Sequence, residues 1–186
     1  MNSRTESVAK FFAAALMLSG LAACASAADP TAMTVIAPVG ADAAKPFPQP
    51  LLGAMCVRNV TGGEKTNPLW VSKVDNAGFS TALTASLTGN GLNAAATDSC
   101  HFPIDVNLLG LSQPGMGFDM TVTSHVNYKV YDSAGQPFLL ETIDAPYTAK
   151  FSEAFVGVER LKKANEGAIR QSISTFFVKL RDTTPK

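Results

Sequence analysis

The chain has 186 residues, 46% of them hydrophobic, which is enough for one domain with a substantial apolar core. Its 15 basic and 15 acidic residues balance, so it lacks the basic surplus with which nucleic-acid-binding proteins displace counterions from phosphates. The same neutrality argues against polybasic attraction to anionic lipid headgroups. We therefore expect no nucleic-acid partner, and any attachment to a membrane must come from a lipid.

Residues 1–23 have the pattern of an export signal. Arg4 and Lys10 precede an apolar run over residues 11–23. That run is shorter than the roughly 20 residues that a membrane-spanning helix requires, so it need only enter the export channel. We predict that these residues are removed and that the mature protein is exported.

The last residues of the run are Leu21-Ala22-Ala23-Cys24. They resemble the lipobox of bacterial lipoproteins, which are cut before a Cys that then carries lipid. The resemblance implies lipidation of Cys24, palmitate included, and the outer membrane as destination, because Ala25 and not Asp follows the Cys. The alternative is ordinary cleavage after Ala25-Ser26-Ala27, which would discard Cys24 and leave a soluble periplasmic protein.

The chain has three cysteines, at positions 24, 56 and 100. If Cys24 is lipidated or removed, Cys56 and Cys100 remain as an even pair in an exported protein. An oxidising compartment favours one disulfide between them. The alternative is a pair of buried thiols, because sequence does not give their separation.

Residues 24–50 are predicted to be the lipidated Cys and a disordered tether. Alanine dominates, proline recurs at 30, 38, 46, 48 and 50, and no apolar periodicity persists. As a flexible coil, the tether would span about 28 Å on average. A single domain should follow over residues 51–182, with a short tail at 183–186.

The domain is expected to open with a strand over residues 54–60 and a helix that begins near Asp75. The Asp75 carboxylate can accept hydrogen bonds from the free amides of the first helical turn. Gly89 and Gly91 should end the helix. An apolar stripe at helical spacing consists of Phe79, Ala82, Leu83 and Leu87.

Three strands should follow, over residues 104–111, 120–131 and 137–147. In the first, Ile104, Val106 and Leu108 alternate with polar residues, which is typical of a half-buried strand. The second strand alternates over its whole length. Asp132-Ser133-Ala134-Gly135 has the residues of a type I turn, so the second and third strands should form a hairpin.

A final helix is predicted over residues 158–180. Its apolar face consists of Leu161, Ala164, Ala168, Ile169, Ile173, Phe176, Phe177 and Leu180. A charged run of mixed sign should form the solvated face, namely Glu159, Arg160, Lys162, Lys163, Glu166 and Arg170. The order β-α-β-β-β-α predicts an α+β two-layer sandwich, with about four mainly antiparallel strands and two helices on one face.

Motifs for catalysis, metals and cofactors give no positive signal. Gly89-Asn90-Gly91 opens a dinucleotide-like pattern, but these glycines close a helix instead of opening one. His101 and His125 have no Ser, Cys or metal-ligand partners at suitable spacing. No catalytic or metal residue and no cofactor is expected. Nothing selects a catalytic pair among the carboxylates Glu141, Asp144, Glu153 and Glu159.

One surface suggests interaction with a partner. Two helices on one side of the sheet would leave its other face uncovered, and an antiparallel sheet can keep one face in water. On the long strand this face carries Thr121, Thr123, His125, Asn127, Lys129 and Tyr131. The alternative is an ordinary solvated sheet face without a partner.

The layout of the domain is similar to that of small outer-membrane lipoproteins of Gram-negative envelopes, in particular auxiliary lipoproteins of ABC-type lipid transporters and the lipopolysaccharide-assembly group. Residues 102–106 and 128–135 and the final helix carry the resemblance. It implies a non-catalytic accessory or interaction module of an envelope transport or assembly system, with an unidentified envelope protein as partner. The alternatives are a carrier of a small apolar ligand or lipid and, third, an enzyme.

Overall fold

The computed structural model describes residues 25–36, 45–67, 71–115 and 117–184. Within these residues lie the helices α1 (Pro30–Met33), α2 (Asn76–Gly89) and α3 (Gly157–Asp182) and the strands β1 (Met55–Thr61), β2 (Phe102–Ser112), β3 (Met120–Tyr131) and β4 (Pro137–Ala149). The protein is thus of the α+β class that the sequence predicts. The short helix α1 was not predicted, so the predicted order lacks its first element.

The four strands form one sheet in the order β1-β2-β3-β4. The strands β2, β3 and β4 pair antiparallel, whereas β1 and β2 run parallel. A parallel pair needs a crossover connection, and α2 lies in it. The sheet is therefore mixed: the expectation of mainly antiparallel pairing holds from β2 to β4 and misses the parallel edge.

The hairpin between β3 and β4 closes as predicted. The Gly135 amide donates to the Asp132 carbonyl oxygen over 3.0 Å. The Asp132 carboxylate accepts from the amides of Ala134 (2.9 Å) and Gln136 (2.8 Å). An Asp at the first turn position thus satisfies amides that would otherwise be free.

Helices α2 and α3 pack on one face of the sheet, and the core lies between the two layers. Tyr128 of β3 lies at its centre, stacked on Phe176 with ring centroids 4.3 Å apart and edge-to-face with Phe79 at 6.5 Å. Every apolar residue predicted for the two helix stripes is buried. The helical periodicity therefore identified the core faces correctly.

Gly167 allows α3 to approach β4 closely. A Cβ atom at this position would lie 2.1 Å from Cδ1 of Tyr147, far inside van der Waals contact. Nearby, the hydroxyl of the buried Ser124 on β3 donates to the Ala168 carbonyl oxygen over 3.0 Å. The absence of a side chain at Gly167 is thus a packing requirement, which outweighs its modest cost to helix propensity.

Cys56 and Cys100 form a disulfide in the structure, with Cα atoms 5.6 Å apart, inside the usual range. Cys56 lies in β1, and Cys100 lies two residues before β2 begins. The bond therefore joins the N-terminal ends of the parallel strands β1 and β2 and closes a loop that contains α2.

The predicted disordered tether is wrong for the residues that the structure describes. Residues 25–36, here called the N-terminal segment, pack on α2 and α3, and Met33 and Val35 are buried. Ala25 and Ala28 are buried as well, because small side chains let the backbone lie directly on the domain. The absence of periodicity was misleading, since an irregular segment can dock through few apolar residues.

Polar groups of both helices hold the N-terminal segment. The Glu166 carboxylate accepts from the Asp29 amide over 2.8 Å, and the Arg170 guanidinium donates to the Ala32 carbonyl oxygen over 2.9 Å. On α2, Ser86 Oγ accepts from the Val35 amide over 2.9 Å. The segment therefore has specific hydrogen bonds in addition to its apolar contacts.

Residues 45–50 also pack on the domain. Lys45 pairs with the Asp182 carboxylate, and the Phe47 ring lies edge-to-face with Phe177 at 5.7 Å. The Arg181 guanidinium lies over the Phe47 ring, 4.0 Å from its centroid. The domain therefore includes both described parts of the predicted tether; residues 37–44 lie outside the described residues.

The solvated charged face predicted for the last helix needs a correction. Arg160 and Glu166 are only 5% and 6% exposed. The N-terminal segment covers Glu166, and the loops at the start of α3 cover Arg160. A charge pattern predicts a face turned away from the core, but not whether another segment covers that face.

Removing the disulfide should weaken the fold without abolishing it. In the double variant Cys56→Ser/Cys100→Ser, the unfolded chain gains conformational freedom across the crossover, which lowers the free energy of unfolding by about 2–4 kcal/mol. Urea titration followed by circular dichroism measures this loss. Wild-type protein in reductant is the matched control and should coincide with the variant; a wild-type midpoint insensitive to reductant would contradict the bond.

Glu166 should make stability depend on pH. Burial raises the pKa of its carboxyl, opposed by the hydrogen bond from the Asp29 amide and by Lys162. With a folded pKa above the unfolded value of about 4.3, stability falls as pH rises through this interval. Glu166→Gln keeps an acceptor and removes the charge, so at pH 7 it should be at least as stable as wild type, with the difference closing below about pH 4.

Urea titrations between about pH 3.5 and 8 measure this effect, with Glu166→Ala as the comparison. The alanine variant leaves the Asp29 amide without its acceptor and should be less stable than Glu166→Gln by about 1 kcal/mol. A glutamine variant less stable than wild type at pH 7, with a gap independent of pH, would refute the buried-charge interpretation.

Candidate functional site

The sheet face turned away from α2 and α3, here called the open face, is the polar surface of the fold that the sequence singled out. Burial alternates along β3, and the inward residues of the strand are buried. The structure places all six predicted residues of β3 in the outward set, namely Thr121, Thr123, His125, Asn127, Lys129 and Tyr131. The predicted face thus exists as one continuous row.

Cross-strand hydrogen bonds link this row to β4. The hydroxyls of Thr121 and Thr148 lie 2.8 Å apart, and the side-chain amide nitrogen Nδ2 of Asn127 donates to Thr142 Oγ1 over 3.0 Å. Such directly opposed polar pairs contribute modestly to pairing and fix side-chain directions. The open face is therefore an ordered polar surface.

An ion pair near the β1 edge of the open face was not predicted from sequence. The Arg58 guanidinium donates twice to the Asp105 carboxylate, over 2.8 and 2.5 Å, and lies 4.4 Å from the centroid of the Tyr131 ring. The hydrogen bond from Arg58 holds the pKa of Asp105 below its usual value. The register shift after Val57 is the feature that displaces Arg58, and no local sequence signal marks it.

A shallow groove of about 230 Å³ lies beside this pair. Outward side chains of β1, β2 and β3 form it. Its polar lining consists of Asn59, Thr61, Asp105, Asn107, Asn127, Lys129 and Tyr131. Three residues of the predicted row thus contribute to a groove rich in amide, hydroxyl and charged groups.

A second arrangement on the open face joins three strands. Nδ1 of His125 on β3 lies 2.7 Å from the Asp144 carboxylate on β4, and Nε2 lies 2.9 Å from Oγ of Ser112 on β2. Sequence analysis found no serine partner for His125, because the register shift after Leu108 decides which β2 residue comes within reach. Hydroxyl, imidazole and carboxylate stand in the order used by hydrolytic triads.

The other candidate groups do not come together as a site. Cys56 and Cys100 are joined to each other, and the adjacent His101 is exposed. Within residues 25–36, 45–67, 71–115 and 117–184, no group of three or more His, Cys, Asp or Glu side chains could hold a metal ion. Glu141 pairs instead with Lys179 at 3.9 Å.

The space between the sheet and the helices is occupied by side chains. Tyr128 is fully buried, its hydroxyl lies 2.9 Å from Ser172 Oγ, and burial raises the pKa of this phenol above its usual range. The stacked ring of Phe176 and the edge of Phe79 fill the centre of the layer. A lipid carrier would need room at this place, so the packing does not favour that alternative.

The lipidation residue Cys24 lies outside the described residues, one position before the N-terminal segment. Among the helices of the part that the structure describes, none combines the length and apolar character needed to cross a membrane.

Comparison with known proteins shows the fold. No family model matches the chain, and no curated protein matches it. Among solved structures, the chain is similar to protein XCC0632 of Xanthomonas campestris, described under family DUF330, with a TM-score of 0.53, 13% identity and coverage of 83% of this chain and 93% of that chain. At this identity the likeness establishes a shared fold.

Two further solved structures have lower scores. One is a candidate lipoprotein from Caulobacter crescentus CB15, 10% identical with a TM-score of 0.44, covering 67% of this chain and 87% of that chain. The other is a minor lipoprotein from Acinetobacter baumannii, 12% identical with a TM-score of 0.37, covering 65% and 92%. Both TM-scores are below 0.5, so neither likeness carries an argument about this chain.

Proposed function

We propose that this protein is a lipid-anchored lipoprotein on the periplasmic side of the outer membrane, where it serves as a non-catalytic accessory or interaction module of an envelope transport or assembly system. The observation that carries the proposal is the open face. It presents an ordered polar row and a groove of about 230 Å³, while the described helices pack on the opposite face of the sheet.

The lipobox supports a lipid anchor at Cys24, and the docked N-terminal segment indicates how close to the domain that anchor would lie. The N-terminal segment begins at residue 25, directly after Cys24, and it is fixed to the domain by hydrogen bonds and buried side chains. A lipid on Cys24 would hold the domain close to the bilayer, without the tether of about 28 Å that a flexible coil would give. The open face would then have a limited range of orientations.

The chemistry of the open face supports a protein partner. The groove offers amide, hydroxyl and charged groups, and Tyr131 and Arg58 are of the residue types enriched at the centres of interfaces. Leu140, which is 61% exposed and pairs with Lys129, adds an apolar group on the same face. Polar rows with a few aromatic and apolar groups are typical of interfaces that form and dissociate.

The anchor is tested by replacing Cys24. Cys24→Ser should abolish incorporation of radiolabelled palmitate and release the protein from membranes, because serine offers no thiol for the lipid. Ser26→Ala, two residues later, is the matched control and should keep both properties. Retention of palmitate and membrane binding by Cys24→Ser would refute the anchor.

The partner face is tested by photocrosslinking in intact envelopes. A benzoylphenylalanine at Lys129, on the open face, should give a discrete crosslink to an envelope protein, identified by mass spectrometry. The same group at the exposed Thr81 of α2 is the control and should not give that product. A face without crosslinks, or equal products from both positions, would count against an interaction module.

A second candidate function, ester hydrolysis, is favoured by one observation, the hydrogen-bonded order Ser112–His125–Asp144. With Nδ1 donating to Asp144, Nε2 is the acceptor for the Ser112 hydroxyl. In acyl transfer the hydroxyl proton would pass to Nε2 as Oγ attacks an ester carbonyl. The imidazolium would then return this proton to the departing alkoxide, and water would repeat the cycle to release the acid.

Covalent labelling by a fluorophosphonate probe tests the reactivity of Ser112. If the serine is activated, wild-type protein is labelled, Ser112→Ala is not, and His125→Gln is labelled at least about 100-fold more slowly, as expected on losing a general base. Ser133→Ala, which changes an exposed turn serine, is the control and should be labelled normally. An unlabelled wild-type protein would reduce the arrangement to a structural hydrogen-bond chain.

A further inference from the structure

A cluster of exposed aromatic rings lies at one end of the domain. Phe118, in the connection between β2 and β3, contacts Phe151 edge-to-face at 5.8 Å, and Phe155 contacts Phe151 at 5.3 Å. Phe118 is 82% exposed and Phe155 is 76% exposed, and the adjacent Val156 is 50% exposed. Phe151 between them is 40% exposed. Neighbouring rings exposed to this extent are unfavourable in water, and such patches mark interaction sites.

The fold holds this aromatic cluster in place. The buried Arg160 of α3 donates to the carbonyl oxygens of Ala154 (2.5 Å), Phe155 (3.2 Å) and Gly117 (3.1 Å), and its guanidinium lies 5.1 Å from the Phe151 centroid. One side chain therefore fastens both connections that carry the rings. A buried guanidinium cannot leave its hydrogen-bond partners without a large cost in free energy, so the two connections and the rings on them have fixed positions.

The N-terminal segment approaches the same end of the domain. It runs beside α3 in the direction of the helix, since Asp29 meets Glu166 and Ala32 meets Arg170. Traced backwards from Asp29, the segment leads toward the first turns of α3. The buried Ala25 keeps it on the domain up to the residue after Cys24.

A second set of contacts gives the same placement. The Ala28 amide donates to the Lys73 carbonyl oxygen over 3.2 Å. The carbonyl oxygen of the neighbouring Ser72 accepts from Asn165 of α3 over 2.9 Å and from Gln113 over 3.2 Å. Gln113 is the first residue after β2, in the connection that carries Phe118. These contacts place Ala25, the first described residue, toward the end of the domain that carries the aromatic cluster.

We infer that the aromatic cluster of Phe118, Phe151, Phe155 and Val156 inserts into the bilayer that holds the lipid of Cys24, as a second contact between the domain and the membrane. The inference rests on the proposed function, because the cluster would insert into the same membrane that holds the proposed lipid on Cys24. Phenylalanine rings partition into the boundary between headgroups and acyl chains, and a lipid chain gains stability from a second signal.

The charges near the cluster indicate how this contact differs from electrostatic adsorption. Lys150, Lys162 and Lys163 are offset by Glu153 and Glu159, which are close to them in sequence, and by Asp119, whose carboxylate accepts from the Phe151 amide. The remaining charge is the buried Arg160. Apolar insertion next to a neutral surface should be insensitive to salt, whereas basic attraction is screened. The two contacts together would fix the direction of the open face relative to the bilayer.

Fluorescence quenching in membranes tests the contact. The full lipidated protein is reconstituted in phosphatidylethanolamine and phosphatidylglycerol vesicles with brominated acyl chains, and wild type, which has Trp70 alone, gives the baseline. Phe118→Trp should show additional blue-shifted emission that bromine quenches, at low and at high salt. Leu140→Trp, at the 61% exposed position on the open face, is the matched control and should be quenched only by aqueous iodide.

A second measurement uses variants that remove the rings. Phe118→Ser/Phe155→Ser should transfer between vesicles at least about tenfold faster than wild type, because it loses two apolar contacts. Leu109→Ser/Leu140→Ser removes two apolar residues elsewhere on the surface, which are 58% and 61% exposed, and should transfer at the wild-type rate.

The outcomes separate this inference from the anchor itself. If Cys24 carries palmitate but the added emission of Phe118→Trp is quenched by iodide alone, the inference is overturned and the anchor stays intact. Added emission that neither quencher reaches would also overturn the inference, because a protein copy would then cover the cluster. Wild-type protein that carries no palmitate would instead refute the proposed function.

Discussion

The packing of α3 against β3 is the interaction on which the rest of the structure depends. Tyr128 stacks on Phe176 with planes only 7° apart and reaches Ser172 through its hydroxyl. The buried phenol fixes the helix along the sheet, since a slip of one turn would leave its oxygen unpaired in an apolar layer. The helix placed in this way covers one face of the sheet, and no described helix covers the other face.

The residues of α3 outside the contact with β3 also make specific hydrogen bonds. Glu166 and Arg170 bind the N-terminal segment, and Arg160 positions the aromatic cluster. The same helix therefore connects the core, the segment that follows Cys24 and the proposed membrane contact. These contacts explain why Arg160 and Glu166 are buried, although they belong to the charged run that was predicted to be solvated.

The sequence predicted the parts of the fold that depend on local periodicity. The whole extent of β3, the apolar stripes of α2 and α3 and the turn at Asp132 follow from spacing and residue chemistry over a few positions. The parallel pairing of β1 with β2 was not predicted, because the residue pattern of a strand does not give the direction of its partner, although a helix between two strands is the connection that parallel pairing requires. The docking of Met33 and Val35 was missed because it depends on a groove that exists only in the folded domain.

The candidate sites divide in the same way. The six residues on the outward side of β3 were found by alternation alone. The arrangements Arg58–Asp105 and Ser112–His125–Asp144 were not, because each depends on a register shift in a strand pair. Side chains from three strands meet only when every register is known, and a single sequence does not specify where an extra residue will be accommodated.

The N-terminal segment joins residues that are far apart along the chain: Asp29 and Glu166, its partner on α3, are separated by 137 positions. The first described residues therefore find their place only after the last helix exists, and closing a loop of this length has an entropic cost that the docked contacts must offset. Before α3 has formed, the residues that precede Asp29 are connected to the rest of the domain only through the flexible chain. If Cys24 carries the proposed lipid, docking of the N-terminal segment on α3 sets the distance between the domain and the bilayer, so that distance depends on the helix at the opposite end of the chain.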